Sequence, residues 1–220
     1  MTKIFGPQQR AMQDKFDTRR VADFIAGGFI VDEISETDQA FIESRDMFWM
    51  ATIGEDGAPT VSYKGGDPGF LKVLDNKTIA FPSYDGNGMF YSMGNIATSA
   101  KIGMLFIDFE NPIRLRVQGT ATVSDSDPLL SEFKEAQMVV RVTVDGMWPN
   151  CPRYVHRMQK VTPSRYVPRE GADTPLAGWK RIDIAQEVLP ASDQGRAEAE
   201  GGQITVEDWF GKVATGDPEA

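Results

Sequence analysis

Three sets of polar side chains in this sequence are spaced for chemistry. In Val61-Ser62-Tyr63-Lys64 the side chains alternate as on a strand, so Ser62 and Lys64 share one face while Val61 and Tyr63 share the other. A lysine at such a strand end either pairs with an anion or stands as a solvated rim residue. Ser83, Asn87 and Asn95 surround a Gly/Asn-rich loop over residues 83–88 that opens a helical stretch. They can cap that helix or bind phosphate with the same groups, and a strand–loop–helix junction turns several backbone N–H groups and the helix dipole toward one anion. Arg114 and Arg116 alternate with Ile113, Leu115 and Val117 and so project from one side of a strand. They are ordinary surface arginines or, as two guanidinium groups on one sheet face, an invitation to an anionic ligand.

Other chemistries are excluded by composition. One histidine, His156, and one cysteine, Cys151, cannot supply a zinc cluster, and no GxSxG, Walker loop or HExxH string is present. Cys151 reads as a packed residue and His156 as a structural or surface one. The run Gly65-Gly66-Asp67-Pro68-Gly69-Phe70 lacks the GxGxxG spacing of a dinucleotide fold.

The elements that must position these groups follow from periodicity. Strands are expected at residues 47–53, 59–64, 78–81, 102–109, 113–123 and 139–144, with residues 71–74 a short strand or a turn. The first two strands form a hairpin through Gly54-Glu55-Asp56-Gly57. Helices are expected over 89–99, from a cap at 125–128 to about 136, and from 150–152 to about 160. An N-terminal region is helical in two pieces. One carries Met12, Phe16, Arg19, Arg20 and Phe24 and ends at Gly27–Gly28; the other is capped at Thr37 and runs to about Arg45. Six closely spaced strands with few helical crossovers predict a mainly β chain, an antiparallel barrel with flanking helices. Residues 191–202 read as a flexible linker, and 205–208 as a capping box opening a helix with Val206, Trp209, Phe210 and Val213 on one face. The expected organisation is a helical extension over 1–45, the barrel domain over 46–185 and an acidic extension over 186–220.

The net charge of −9 argues against nucleic-acid binding, and no apolar run approaches the roughly 20 residues of a membrane span. A lone cysteine and no secretory signal lead to an expected cytoplasmic setting.

The order of segments then resembles a family. PTVSYKGGDPGFLKV, TIAFP, SYDGNGMFYSMGNI, KIGMLFIDF and LRVQGTATV, followed by NCPRYVHRM, are similar to the pyridoxamine 5′-phosphate oxidase-like FMN-binding split-barrel family over roughly residues 40–165. The resemblance implies a six-stranded antiparallel split barrel, a homodimer with FMN at the subunit interface, and an oxidoreductase acting on a small molecule. The alternative is a flavin- or haem-binding module without turnover, with His156 as a haem ligand. Carried over residue by residue, it places Ser62, Tyr63 and Lys64 beside the flavin ring and Phe81, Pro82 and Ser83 along the ribityl chain. Asn87 and Asn95 fall near the phosphate, and Arg114 and Arg116 reach the cofactor from the neighbouring strand or across the dimer. Authentic oxidases have an Arg-Lys pair where this chain has Gly88–Met89, so vitamin B6 oxidation is not the implied activity, and phosphate charge falls to Lys64, Arg114 or Arg116.

Overall fold

Seven antiparallel strands form one sheet in the computed structural model, which describes residues 4–220. They are β1 (Met47–Ile53), β2 (Pro59–Gly65), β3 (Lys72–Asp75), β4 (Thr78–Ser83), β5 (Lys101–Asp108), β6 (Ile113–Ser124) and β7 (Met138–Asn150), paired in the order β2-β1-β5-β6-β7-β4-β3. The mainly β class is the expected one; the seventh strand, β3, is the short segment that the sequence left between strand and turn. In β1, Phe48, Met50 and Thr52 are buried while Trp49 and Ala51 are only partly covered, the alternation of a strand with one core face. Its hairpin to β2 turns on Gly57, at φ 81°, where a side chain would be strained, and on Asp56, whose carboxylate accepts from the Ala58 amide at 2.9 Å.

Ring contacts show that the sheet is rolled. β1 and β4 stand four places apart in the order, roughly 19 Å along a flat sheet at about 4.8 Å per strand. Yet the rings of Phe48 and Phe81 meet edge to face, with centroids 5.0 Å apart, and Phe106 lies 5.4 Å from Phe48. These rings, with Met50, Ile79, Val117, Val140 and Val142, form the core. Among the described residues no ladder joins the end strands β2 and β3, so the barrel is closed by side chains and split in its hydrogen bonds. On β6 a register shift between Gln118 and Gly119 bends the strand, and Gly119 is needed there: a β-carbon would lie 2.5 Å from Val142 and 2.7 Å from the Thr143 carbonyl.

The helical expectations are partly corrected. The first N-terminal piece is two helices, α1 (Pro7–Lys15) and α2 (Arg19–Gly28), broken where Asp17 turns to φ 51°. Then α3 (Glu36–Glu43) has its cap two residues before the expected one, because Ser35, not Thr37, takes the Asp38 amide. After β4 comes α4 (Tyr91–Ser99). The helix expected from 125–128 is a single 3₁₀ turn, Pro128–Glu132. Asp127 caps it and also holds the Arg141 guanidinium at 2.5 and 2.8 Å, which keeps the Asp127 carboxyl below its usual pKa. No helix forms over 150–160. β7 runs on to Asn150, the Arg114 guanidinium then donates to the Cys151 carbonyl, and Tyr154 adopts φ 70°. Among the described residues no helix is long and apolar enough to cross a membrane.

The chain divides into two units, Met1–Gln159 and Lys160–Ala220. The second contains 3₁₀ turns at Gly178–Arg181 and Asp183–Val188, then α5 (Arg196–Ala199) and α6 (Val206–Thr215). The expected flexible linker over 191–202 is instead ordered. Asp193 is buried in an ion pair with Lys180 at 2.6 Å, and Ala197 of α5 is buried too. The capping box is present, Thr205 taking the Asp208 amide at 3.1 Å while Asp208 takes the Thr205 amide at 3.2 Å.

Candidate anion-binding cavity

A cavity of about 470 Å³ opens between the edge strand β2 and the segment that joins β4 to α4. Thr60, Ser62 and Lys64 line it from β2; Ser83 to Phe90 and the first turn of α4, Tyr91 to Met93, line it opposite, with Gln137 at the side. The register explains why β2 offers these three. Thr60, Ser62 and Lys64 stand across from Thr52, Met50 and Phe48 of β1, all buried, so they belong to the inner face of the sheet. Ser62 and Ser92 hydroxyls lie 3.2 Å apart and tie the strand to α4.

Two positive features meet here. Lys64 is half-buried, no carboxylate among the described residues pairs with it, and burial holds its ammonium below the ordinary lysine pKa. A charge withdrawn from water without a partner is costly unless something else supplies the counter-charge. The second feature is the start of α4. Phe90, at its N-cap, has φ 47° and ψ 27° and no side chain caps the first turn, so the orphan amides and the positive end of the helix dipole are left toward the cavity. The loop before it is shaped by Gly88 at φ 75° and by Asn87, whose carbonyl oxygen accepts from the Met89 amide at 3.1 Å. Tyr84 contributes a phenol whose pKa is raised by burial and by the Asp67 carboxylate, so it stays a protonated donor.

Of the residues expected at a site, Ser62, Lys64, Ser83 and Asn87 line this cavity together. Tyr63 is on the opposite face of β2, exposed and packed edge to face on Trp49. Phe81 and Pro82 are buried in the barrel wall. Asn95 is a turn beyond the cavity, donating to the Thr52 hydroxyl at 3.0 Å. Arg114 and Arg116 lie on the outer face of β6, a strand separated from β2 by β1 and β5 and from β4 by β7. His156 is exposed in the segment after β7. Sequence reasoning passed over Thr60, Tyr84 and Ser92. Thr60 was findable, since period-two alternation puts it with Ser62 and Lys64; Tyr84 and Ser92 depended on how the loop folds back.

The outer face has its own order. Tyr63, Trp49, Leu105, Arg116 and Trp148 stand in one cross-strand row over β2, β1, β5, β6 and β7. Tyr63 is 59% exposed and its neighbour Val61 66%, an unusually apolar surface for an edge strand.

Compared with known proteins, residues 34–157 match a family model described as pyridoxamine 5′-phosphate oxidase. No curated protein sequence matches the chain. Among solved structures, a putative pyridoxamine 5′-phosphate oxidase from Lactobacillus delbrueckii is 21% identical, with a TM-score of 0.44, over 54% of this chain and 95% of that one. HupZ of Group A Streptococcus is 17% identical, with a TM-score of 0.44, over 57% of this chain and 99% of its own. The FAD binding protein from Mycobacterium smegmatis is 16% identical, with a TM-score of 0.37, over 55% and 97%.

Proposed function

Because this chain belongs to the pyridoxamine 5′-phosphate oxidase family, we propose that it is an FMN-dependent oxidoreductase acting on a small molecule, with the FMN phosphate held between β2 and α4. The observation that carries this reading is Lys64: a half-buried ammonium without an ion-pair partner among the described residues, lining the same cavity as an uncapped helix N-terminus. The cavity's volume falls within the roughly 300–1,000 Å³ of cofactor sites. Its lining also suits the group. Hydroxyls of Thr60, Ser62, Ser83 and Ser92 line it with the cation, Tyr84, Met89, Phe90 and Tyr91 give flat or flexible apolar cover, and Asp85 is the one acidic side chain in the lining.

In this reading Lys64 and the α4 amides neutralise the phosphate. Tyr84 donates a hydrogen bond without competing for negative charge. Phe90 and Met89, exposed at the rim, exclude water when the cavity fills. Bound FMN would supply the electron-transfer chemistry, and the protein's part is to orient it and shape the space above it. Vitamin B6 oxidation is not part of the proposal, since Gly88–Met89 brings no cation to the loop. The homodimer belongs to the same proposal: the Tyr63–Trp49–Leu105–Arg116–Trp148 row is the surface through which two copies would meet, and there Arg114 and Arg116 could reach a partner's cofactor. A reducing, cytoplasmic setting accords with the single free Cys151.

The test is spectroscopic. Purified protein titrated with FMN is expected to quench flavin fluorescence at one site per chain and to bleach with a nicotinamide donor. Protein that binds no FMN and sediments as a monomer would overturn the reading; FMN uptake without bleaching would reduce it to a flavin-binding module.

A further inference from the structure

The α1–α2 arm has no account in the barrel. Pro7–Lys15 and Arg19–Gly28 contain no buried residue, yet Met12, Phe16, Val21, Phe24, Ile25 and Phe29 are all exposed, several of them by more than half. Helices of nine and ten residues are marginal alone in water and need a covered apolar face. The arm's own ties are polar, Arg10 to Asp23 and Arg19 to Asp14, with Phe24 and Phe29 in edge-to-face contact at 5.6 Å. Six exposed apolar side chains on so short an arm are more than the scattered single ones of an ordinary surface.

We infer that this arm docks on a second copy of the chain, its exposed Phe16, Phe24 and Val21 covered by the partner's barrel. The inference rests on the dimer proposed above. Two observations select this occupant. The arm is rooted beside the proposed interface: Val31, three residues past α2, exchanges both backbone hydrogen bonds with Met147 of β7, next to Trp148 of the outer aromatic row. In addition, its charge does not suit a lipid surface. The pairing of Arg10 and Arg19 leaves only Lys15 and Arg20 against Asp17, without the cationic excess of an interfacial helix. An isologous contact in which each arm crosses to the other copy covers both apolar surfaces at once.

The test compares the full chain with the double variant Phe16→Asp, Phe24→Asp by sedimentation and by amide exchange of residues 7–29 above and below the dimer dissociation concentration. The expected result is an at least tenfold weaker dimer in the variant, with arm amides of the full chain slowed only at concentrations where it is dimeric. Barrel amides should be protected equally in both, because neither phenylalanine is buried; removal of residues 1–28 gives a second variant with the same expected weakening. An unchanged dimer constant in both variants, or arm protection independent of concentration, overturns the docking and leaves the dimer reading standing. A full chain monomeric at every concentration overturns both. Binding of the full chain to phosphatidylglycerol vesicles that the double variant loses would assign the arm to lipid and overturn the inference.

Discussion

Lys64 and Lys180 are both withdrawn from solvent, and the protein treats them in opposite ways. Lys180, 3% exposed, is met at 2.6 Å by the buried Asp193, and its charge is settled within the chain. Lys64, less deeply placed, forms no ion pair with a carboxylate among the described residues; hydroxyls, Asp85 and an uncapped helix start line the cavity that it faces. A satisfied charge in a folded unit is architecture; an unsatisfied one at a cavity is a standing cost that makes sense if a ligand brings the opposite sign.

That contrast can be broken in order of effect. Asp193→Ala removes the buried counter-charge of Lys180 and is expected to destabilise the second unit by about 3–5 kcal/mol, read by urea unfolding through Trp179 and Trp209; an unchanged midpoint would mean that the pair carries no structural weight. Lys64→Met is expected to weaken FMN binding about 100-fold, roughly 2.7 kcal/mol, in a fluorescence titration, with Lys64→Arg keeping part of the affinity. Asp127→Ala is the intermediate case, a carboxylate that both caps a turn and pairs with Arg141. It should cost about 2 kcal/mol, and that contribution, present at neutral pH, is lost as acid titrates Asp127 through its lowered pKa. The smallest effect has the opposite sign: without ligand, Lys64→Met should raise stability at neutral pH by about 1 kcal/mol. In the native chain the window lies between the lowered folded-state pKa of Lys64 and its unfolded value. There the unfolded chain holds a proton that the folded one has lost, so stability rises with pH, and the variant should lose that rise. FMN affinity should fall through the same window as the ammonium is discharged.

Much of the barrel was legible because strand alternation and turn chemistry are local. β1 was bounded to the residue by its apolar run and by Gly54–Gly57, and the alternation around Arg114 and Arg116 put both on one side of β6. Which side that was is decided by how the whole sheet rolls, and no window of ten residues contains that information. The failures share this cause. Residues 191–202 look like a linker until Asp193 is matched with Lys180, and 150–160 look helical until β6 and β7 are seen to run together to Asn150, with Arg114 holding the next carbonyl. At the cavity, Ser62 and Lys64 were separable from Tyr63 by alternation alone. Tyr84 and Ser92 entered only through the backbone turns at Gly88 and Phe90.

The gap between β2 and the segment joining β4 to α4 gives the cavity a mechanical meaning. Its walls belong to segments that share no backbone rungs, so a molecule seated there would lace two loose margins together across the gap. Melting temperature would then report occupancy, and the emptied barrel should begin to fray from that slit.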